Sequence, residues 1–242
     1  MNFPIMAHLV MGYPSLAESL RSAEQYIASG CRILELQIPF SHPTADGPVI
    51  TQACREAVER EQTRVEDCLD LLATLRQRYP EQEIMLMSYT NRIYHFGLKK
   101  FAAALLSLGV KHLIVPDLPV DSPIARQLEG ITLVPVLAAN VGEERLARLI
   151  DMDFDFYYLM SDFKITGSTF SLHPQLARVI AAIRTGAPQA RIGIGFGIST
   201  PEQVRVVAQH ADVAIVGSAL IQAQQRGHLS QTLQTLVGYS AS

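Results

Sequence analysis

The feature that most constrains this chain is a repeated alternation of short apolar runs with amphipathic segments, kept up from residue 6 to residue 237. Residues 6–11, 32–38, 84–88, 111–116, 132–137, 154–160, 191–195 and 213–216 read as strands. They are near-continuous in Ile, Leu, Val and Met, the pattern of strands covered on both faces. The segments between them have helical spacing. Ser15 predicts a cap for a helix that places Leu16, Leu20, Ala23 and Ile27 on one face and ends at Gly30. Residues 49–78 predict two helices meeting near Gln62-Thr63. Further helices are expected over 98–108, 123–128 (short), 143–150, 174–184, 201–209 with Thr200 as cap, and 219–237. Eight strand–helix units predict an α/β fold, a parallel sheet closed into a (β/α)8 TIM barrel. No Pro/Ser-rich linker or compositional shift divides the chain, so one TIM-barrel domain over residues 1–242 is expected.

Composition narrows the function classes. A hydrophobic share of 48 % with 18 % charged residues supports a buried core and excludes disorder. A net charge of −3 offers no basic field, so neither nucleic acid nor an anionic membrane surface is an expected partner. No apolar run approaches the roughly 20 residues of a membrane span, and the N-terminal residues lack a signal-peptide pattern. Cys31, Cys54 and Cys68 are odd in number and scattered without metal-type spacing. Reduced thiols, a cytoplasmic location and no metal site are the expectation.

In such barrels the active site lies at the C-terminal ends of the strands, which gives a filter for polar residues. Residues 35–48, ELQIPFSHPTADGP, carry two carboxylates there, Glu35 inside the second strand and Asp46 in its loop. Alternation puts Ile33, Glu35 and Gln37 on one strand face and Leu34, Leu36 and Ile38 on the other. If the first face lines the barrel, Glu35 points into its mouth, where an apolar pocket would tune it for acid–base work. The competing reading is an internal salt bridge, for instance to Arg191. By spacing alone Asp46 reads as a turn residue before Gly47. After strands seven and eight, Gly195-Phe196-Gly197-Ile198-Ser199 and Val216-Gly217-Ser218-Ala219 either make tight turns or present backbone N–H groups, with the Ser218 hydroxyl, to a phosphate. Their joint position at the converging loops favours phosphate.

Beyond these generic features, residues 35–48 closely resemble the hallmark loop of the tryptophan synthase α subunit. Similar wording continues in order along nearly the whole chain, at Gly12-Tyr13-Pro14, Ser88-Tyr89-Thr90-Asn91, Asp117-Leu118-Pro119, Ile165-Thr166-Gly167 and the two glycine loops. The resemblance implies a lyase of tryptophan biosynthesis that cleaves indole-3-glycerol phosphate to indole and glyceraldehyde 3-phosphate. It implies no cofactor on this chain and a pyridoxal-phosphate β subunit as partner. By the same resemblance Glu35 is the general acid and base, and Asp46 the acceptor of the ring N–H. Tyr89 and Tyr158 then belong to the pocket, Thr166 helps close it and hold Asp46, and Gly167, Gly197, Gly217 and Ser218 cradle the phosphate.

The chain also departs from the family pattern. Gln37 stands where Gly is usual, on the strand face of Glu35, and is expected to enter the pocket or bond that carboxyl. His42 stands where Asp is usual, in a loop that faces the β subunit. Asp162 replaces Arg and Lys164 replaces Gly in the loop after strand six. Only five residues precede strand one, where the family usually has a helix across the barrel floor, so another segment or subunit is expected to cover it. Two alternatives accompany the lyase reading: an altered phosphorylated substrate, and a weakly catalytic subunit that binds a phosphorylated ligand and regulates a partner. The survival of both carboxylates speaks for catalysis.

Overall fold

The structure, a computed structural model, describes residues 3–160, 164–166, 169–171, 173–195 and 197–238. Its first half runs β1 (Ile5–Val10), α1 (Leu16–Ala28), β2 (Ile33–Gln37), α2 (Pro48–Glu59), α3 (Val65–Arg78), β3 (Glu83–Met87), α4 (Thr90–Phe96), α5 (Leu98–Ser107) and β4 (His112–Ile114). A 3-10 turn at Ala125–Gln127 precedes β5 (Thr132–Val134), β6 (Val136–Ala138), α6 (Glu143–Asp151) and β7 (Phe156–Met160). The chain continues through β8 (Lys164–Thr166), β9 (Thr169–Ser171), α7 (Pro174–Gly186), β10 (Arg191–Gly195), α8 (Pro201–Ala208), β11 (Val213–Val216), α9 (Ser218–Gln225) and α10 (Leu229–Gly238).

Nine strands pair in parallel in the order β5-β4-β3-β2-β1-β11-β10-β7-β6, which bends round into a nearly closed barrel. The expected fifth strand is present as two pieces, β5 and β6, on either side of Pro135. Proline has no N–H for the ladder, so pairing switches there from β4 to β7. The carbonyl of Pro135 accepts the Tyr158 N–H at 3.0 Å and carries the barrel across the gap. The TIM barrel read from the sequence is thus the observed fold.

The strand faces divide the core into two layers. Met6, Ile33, Met85, Met87, Ile114, Val134, Phe156, Val213 and Ile215 pack together inside the barrel. Leu34, Leu36 and Ile38 point the other way and pack beneath the helices. Full burial of side chains this size stabilises by about 1.5–3 kcal/mol each, so strand two cannot slip by one residue without exchanging its two faces. That constraint turns Glu35 inward. On β10, glycines make room for rings: a Cβ on Gly193 would come 2.7 Å from the Phe156 ring, and one on Gly195 would come 2.9 Å from the Tyr158 hydroxyl.

Several local signals act as expected. Ser15 accepts the Glu18 N–H at 3.2 Å, and Thr200 forms a capping box with Gln203. The helices α2 and α3 meet at Gln62, whose φ is +53°. Elsewhere the structure departs from the expectation. The last helix is two, α9 and α10, because Gly227 turns the chain with a φ of +71°. The helix α4, unanticipated from the sequence, begins where Asp117 accepts both the N–H and the hydroxyl of Thr90, each at 2.9 Å. An antiparallel hairpin, β8–β9, also follows β7.

The salt bridge between Glu35 and Arg191 is absent. Arg191 starts β10 and Glu83 starts β3, so both lie at the N-terminal end of the barrel. There the guanidinium meets the Glu83 carboxylate through two hydrogen bonds, of 2.9 and 2.6 Å. The Arg191 guanidinium also sits 5.3 Å from the centre of the Phe156 ring.

Candidate active site

The opposite end of the barrel holds a cavity of about 700 Å3, counting its open mouth, a size suited to a small molecule. One side is apolar, formed by Met87, Ile114, Val136, Met160 and Ile215. Glu35, His8 and Asp46 line another side, and Gly197, Gly217 and Ser218 the rim.

Glu35 is 1 % exposed and meets a partner that sequence reasoning missed. Parallel pairing of β1 with β2 sets His8 directly beside Glu35, and His8 is itself 3 % exposed. Its Nδ1 lies 3.1 Å from Glu35 Oε2, within ion-pair reach but off the line of a hydrogen bond. Both Oε2 of Glu35 and Nε2 of His8 are buried without hydrogen-bond partners among the described residues. Burial pulls the His8 imidazole down, but the Glu35 carboxylate, with smaller help from Asp46 and Gln37, outweighs it and sets His8 above the ordinary imidazole value. The wall around Glu35 is therefore polar on the β1 side. A signal was available: in residues 5–10 the one polar side chain is His8, at a position in phase with inward-facing Met6.

Asp46 is held by two side chains. Gln37 donates Nε2 to its Oδ2 at 2.7 Å, and the Tyr89 hydroxyl donates to the same oxygen at 2.9 Å. The Tyr89 oxygen in turn accepts the Ala45 N–H at 3.2 Å, which ties down the loop. Tyr89 is fully buried, and its ring lies 5.4 Å from that of Phe40. Gln37 thus bonds Asp46, where a contact with Glu35 had been one expectation. Burial lifts the Asp46 carboxyl above its ordinary value, against the opposing pull of His8, Gln37 and Tyr89. Tyr158 is raised well above the phenol range, first by burial and then by Glu35 and Asp46.

Across the mouth, α9 begins at Ser218 with Gly217 as its N-cap, and no side chain among the described residues caps its first N–H groups. Uncapped N–H groups at a helix start favour an anion. Gly197, at a φ of +79°, adopts a conformation that favours glycine and leaves open space where a Cβ would stand.

A family model described as tryptophan synthase alpha chain matches residues 3–238. The chain belongs to that family. It is 34 % identical over 237 residues to the tryptophan synthase alpha chain of Dehalococcoides mccartyi, covering 96 % of this chain and 92 % of the relative. The alpha chain of Aquifex aeolicus is 32 % identical over 224 residues, covering 90 % of this chain and 84 % of its own. Among solved structures, the aminoacrylate-bound tryptophan synthase of M. tuberculosis superimposes with a TM-score of 0.85 at 25 % identity. That match covers 99 % of this chain and 94 % of the other. The alpha chain of Legionella pneumophila gives 0.82 at 25 % identity, covering 99 % and 92 %.

Within this family frame, the barrel brings Glu35, Asp46, Tyr158, Gly197, Gly217 and Ser218 to one cavity. Tyr89 reaches the site through Asp46. The backbone of Thr166 pairs with Thr169 in the hairpin. Gly167 and Asp162 lie outside the described residues. His42 is exposed, with Nδ1 2.9 Å from the Ser41 hydroxyl oxygen. No group of His, Cys, Asp and Glu among the described residues could hold a metal. No described helix is long and apolar enough to cross a membrane.

Proposed function

We propose that this chain catalyses the alpha reaction of tryptophan biosynthesis, cleaving indole-3-glycerol phosphate to indole and glyceraldehyde 3-phosphate. The observation that carries the reading is the placement of Glu35 and Asp46 on one cavity, facing an apolar wall with a helix N-terminus at its rim. The phosphate sits against the N–H groups of Gly217 and Ser218, and Gly197 allows close approach. The indole ring lies along Met87, Ile114 and Val136.

Cleavage needs a proton at ring carbon C3 and the loss of one from the side-chain hydroxyl next to the breaking bond. The Glu35 carboxyl serves both transfers. Protonation at C3 places positive charge on the ring nitrogen, and the Asp46 carboxylate accepts the ring N–H and stabilises that charge. As the C–C bond breaks, its electron pair returns to the ring, and the hydroxyl carbon leaves as the aldehyde. Tyr89 and Gln37 both bond Oδ2 of Asp46 and leave Oδ1 for the ring.

A β subunit is the proposed partner, in line with the family; His42, exposed where the family has Asp, is the departure in the loop that faces it. Purified chain is to be incubated with indole-3-glycerol phosphate, alone and with a β subunit, and indole and glyceraldehyde 3-phosphate measured. Equal amounts of both products are expected. Ligand binding without indole under either condition overturns the reading.

A further inference from the structure

Around Glu35 the structure holds polar atoms that the cleavage scheme leaves unused. His8 Nε2, Glu35 Oε2 and Gln37 Oε1 are all buried without hydrogen-bond partners among the described residues. An unsatisfied buried polar atom is costly, and three in one place, at and beside the reacting carboxyl, call for a function. His8 lines the cavity and stands 3.1 Å from Glu35. It is anchored from behind, where the Tyr26 hydroxyl donates to its backbone carbonyl at 3.3 Å. It also packs under the glycine of the α9 cap, where a Cβ on Gly217 would lie 3.5 Å from the His8 Cβ.

We propose that His8 is a positioning residue for the lyase reaction: its Nδ1–H holds Oε2 of Glu35 and so presents Oε1 to the substrate. Catalytic contacts of this kind tighten and align when substrate binds. The Nδ1–H then bonds Oε2 while Oε1 takes the hydroxyl proton and passes it to C3. His8 gains and loses no proton over the cycle. The inference rests on the reading of Glu35 as the acid and base.

Among the described residues, the titratable groups facing His8 are Glu35 on β2 and Asp46 in the loop after it, with Tyr26 of α1 at its carbonyl. Tyr89 and Tyr158 flank the carboxylates, and burial places all three tyrosines above the working range. The strand β11 and helix α9 bring no ionisable side chain. The acids of α1 and α2 pair elsewhere, Glu18 with Arg21, Glu24 with Arg78, Glu56 with Arg60 and Glu59 with Arg55.

The test measures kcat and KM for wild type, His8→Asn, His8→Phe and Glu35→Gln from pH 6 to 9.5, with a thermal melt of each. Wild type is expected to lose kcat on the alkaline side as His8 loses its proton. His8→Phe should lose about 10- to 100-fold in kcat, with KM within about threefold. His8→Asn, whose amide N–H can occupy the place of Nδ1–H, should recover part of that rate without the alkaline limb. Wild-type kcat with an unchanged pH profile in the His8 variants overturns the proposal; if His8→Phe fails to fold, His8→Asn decides by its profile. Such a result leaves the reading of Glu35 intact as long as Glu35→Gln is inactive. Turnover by Glu35→Gln overturns both.

Discussion

Glu83 and Glu35 each meet a basic side chain, one at either end of the barrel, and the two pairs are built to different standards. At the floor, Glu83 meets Arg191 through two aligned hydrogen bonds, and the guanidinium is also backed by the Phe156 ring. That pair is about a third exposed on each side. At the mouth, Glu35 meets His8 by one misaligned contact in nearly complete burial, and polar atoms on both partners lack a hydrogen bond among the described residues. The floor pair has satisfied its geometry and holds strands β3 and β10 together across the barrel. The mouth pair carries the larger desolvation cost without the matching bonds. On the proposed reading, the contrast separates a carboxylate that stabilises from one that works.

The largest expected effect falls on the mouth. Glu35→Gln should cut indole release by about 10^3- to 10^4-fold, since one group performs both proton transfers. Asp46→Asn should cost about 10^2- to 10^3-fold in kcat through lost stabilisation of the ring cation. That variant should melt no lower than wild type at pH 7. Burial raises the folded-state value of Asp46 above its ordinary one, so the stability it contributes is present at low pH and lost as pH rises through that value. Removing the charge removes that cost, and the advantage should shrink as pH falls. A melting temperature well below wild type at pH 7 would contradict this. At the rim, Ser218→Ala should raise KM about tenfold with kcat little changed, the loss of one hydrogen bond to a charged ligand. An unchanged KM would remove Ser218 from the phosphate site.

The smallest effects sharpen the contrast from the stability side. Denaturant melts of wild type and His8→Asn should differ most below the ordinary imidazole value of 6.5 and converge as pH rises. A raised His8 contributes stability that is lost as pH climbs through its folded-state value. A difference that stays flat or widens toward alkaline pH would contradict the assigned direction.

How far the sequence foretold this depends on whether the deciding contact is local. The eight strand–helix units, the Ser15 and Thr200 caps and the inward face of Glu35 follow from periodicity and neighbouring residues, and they were readable. The glycine loops after β10 and β11 were readable as a rim because barrel geometry places them there. The partners were not. Glu35 was offered to Arg191, but strand direction puts Arg191 at the floor, where Glu83 takes it. His8 appears in sequence as one polar residue in an apolar strand; only the register of β1 against β2 brings it to Glu35. Gln37 reaches Asp46 because the intervening loop folds back onto its own strand, held by Tyr89 from β3's far end. Breaks at Pro135 and Gly227 were overlooked because apolar periodicity continues through both, while a missing N–H and a positive φ interrupt the backbone.

The most direct measurement passes the two carboxamide variants through the same pair of assays, single-turnover indole release and thermal melting at pH 7. Glu35→Gln is expected to melt near wild type and release indole at no more than about a thousandth of its rate. Glu83→Gln should keep most of the rate and lose about 1 kcal/mol of stability, as suits a partly exposed pair. Indole release by Glu35→Gln at a rate comparable to that of Glu83→Gln would contradict the account.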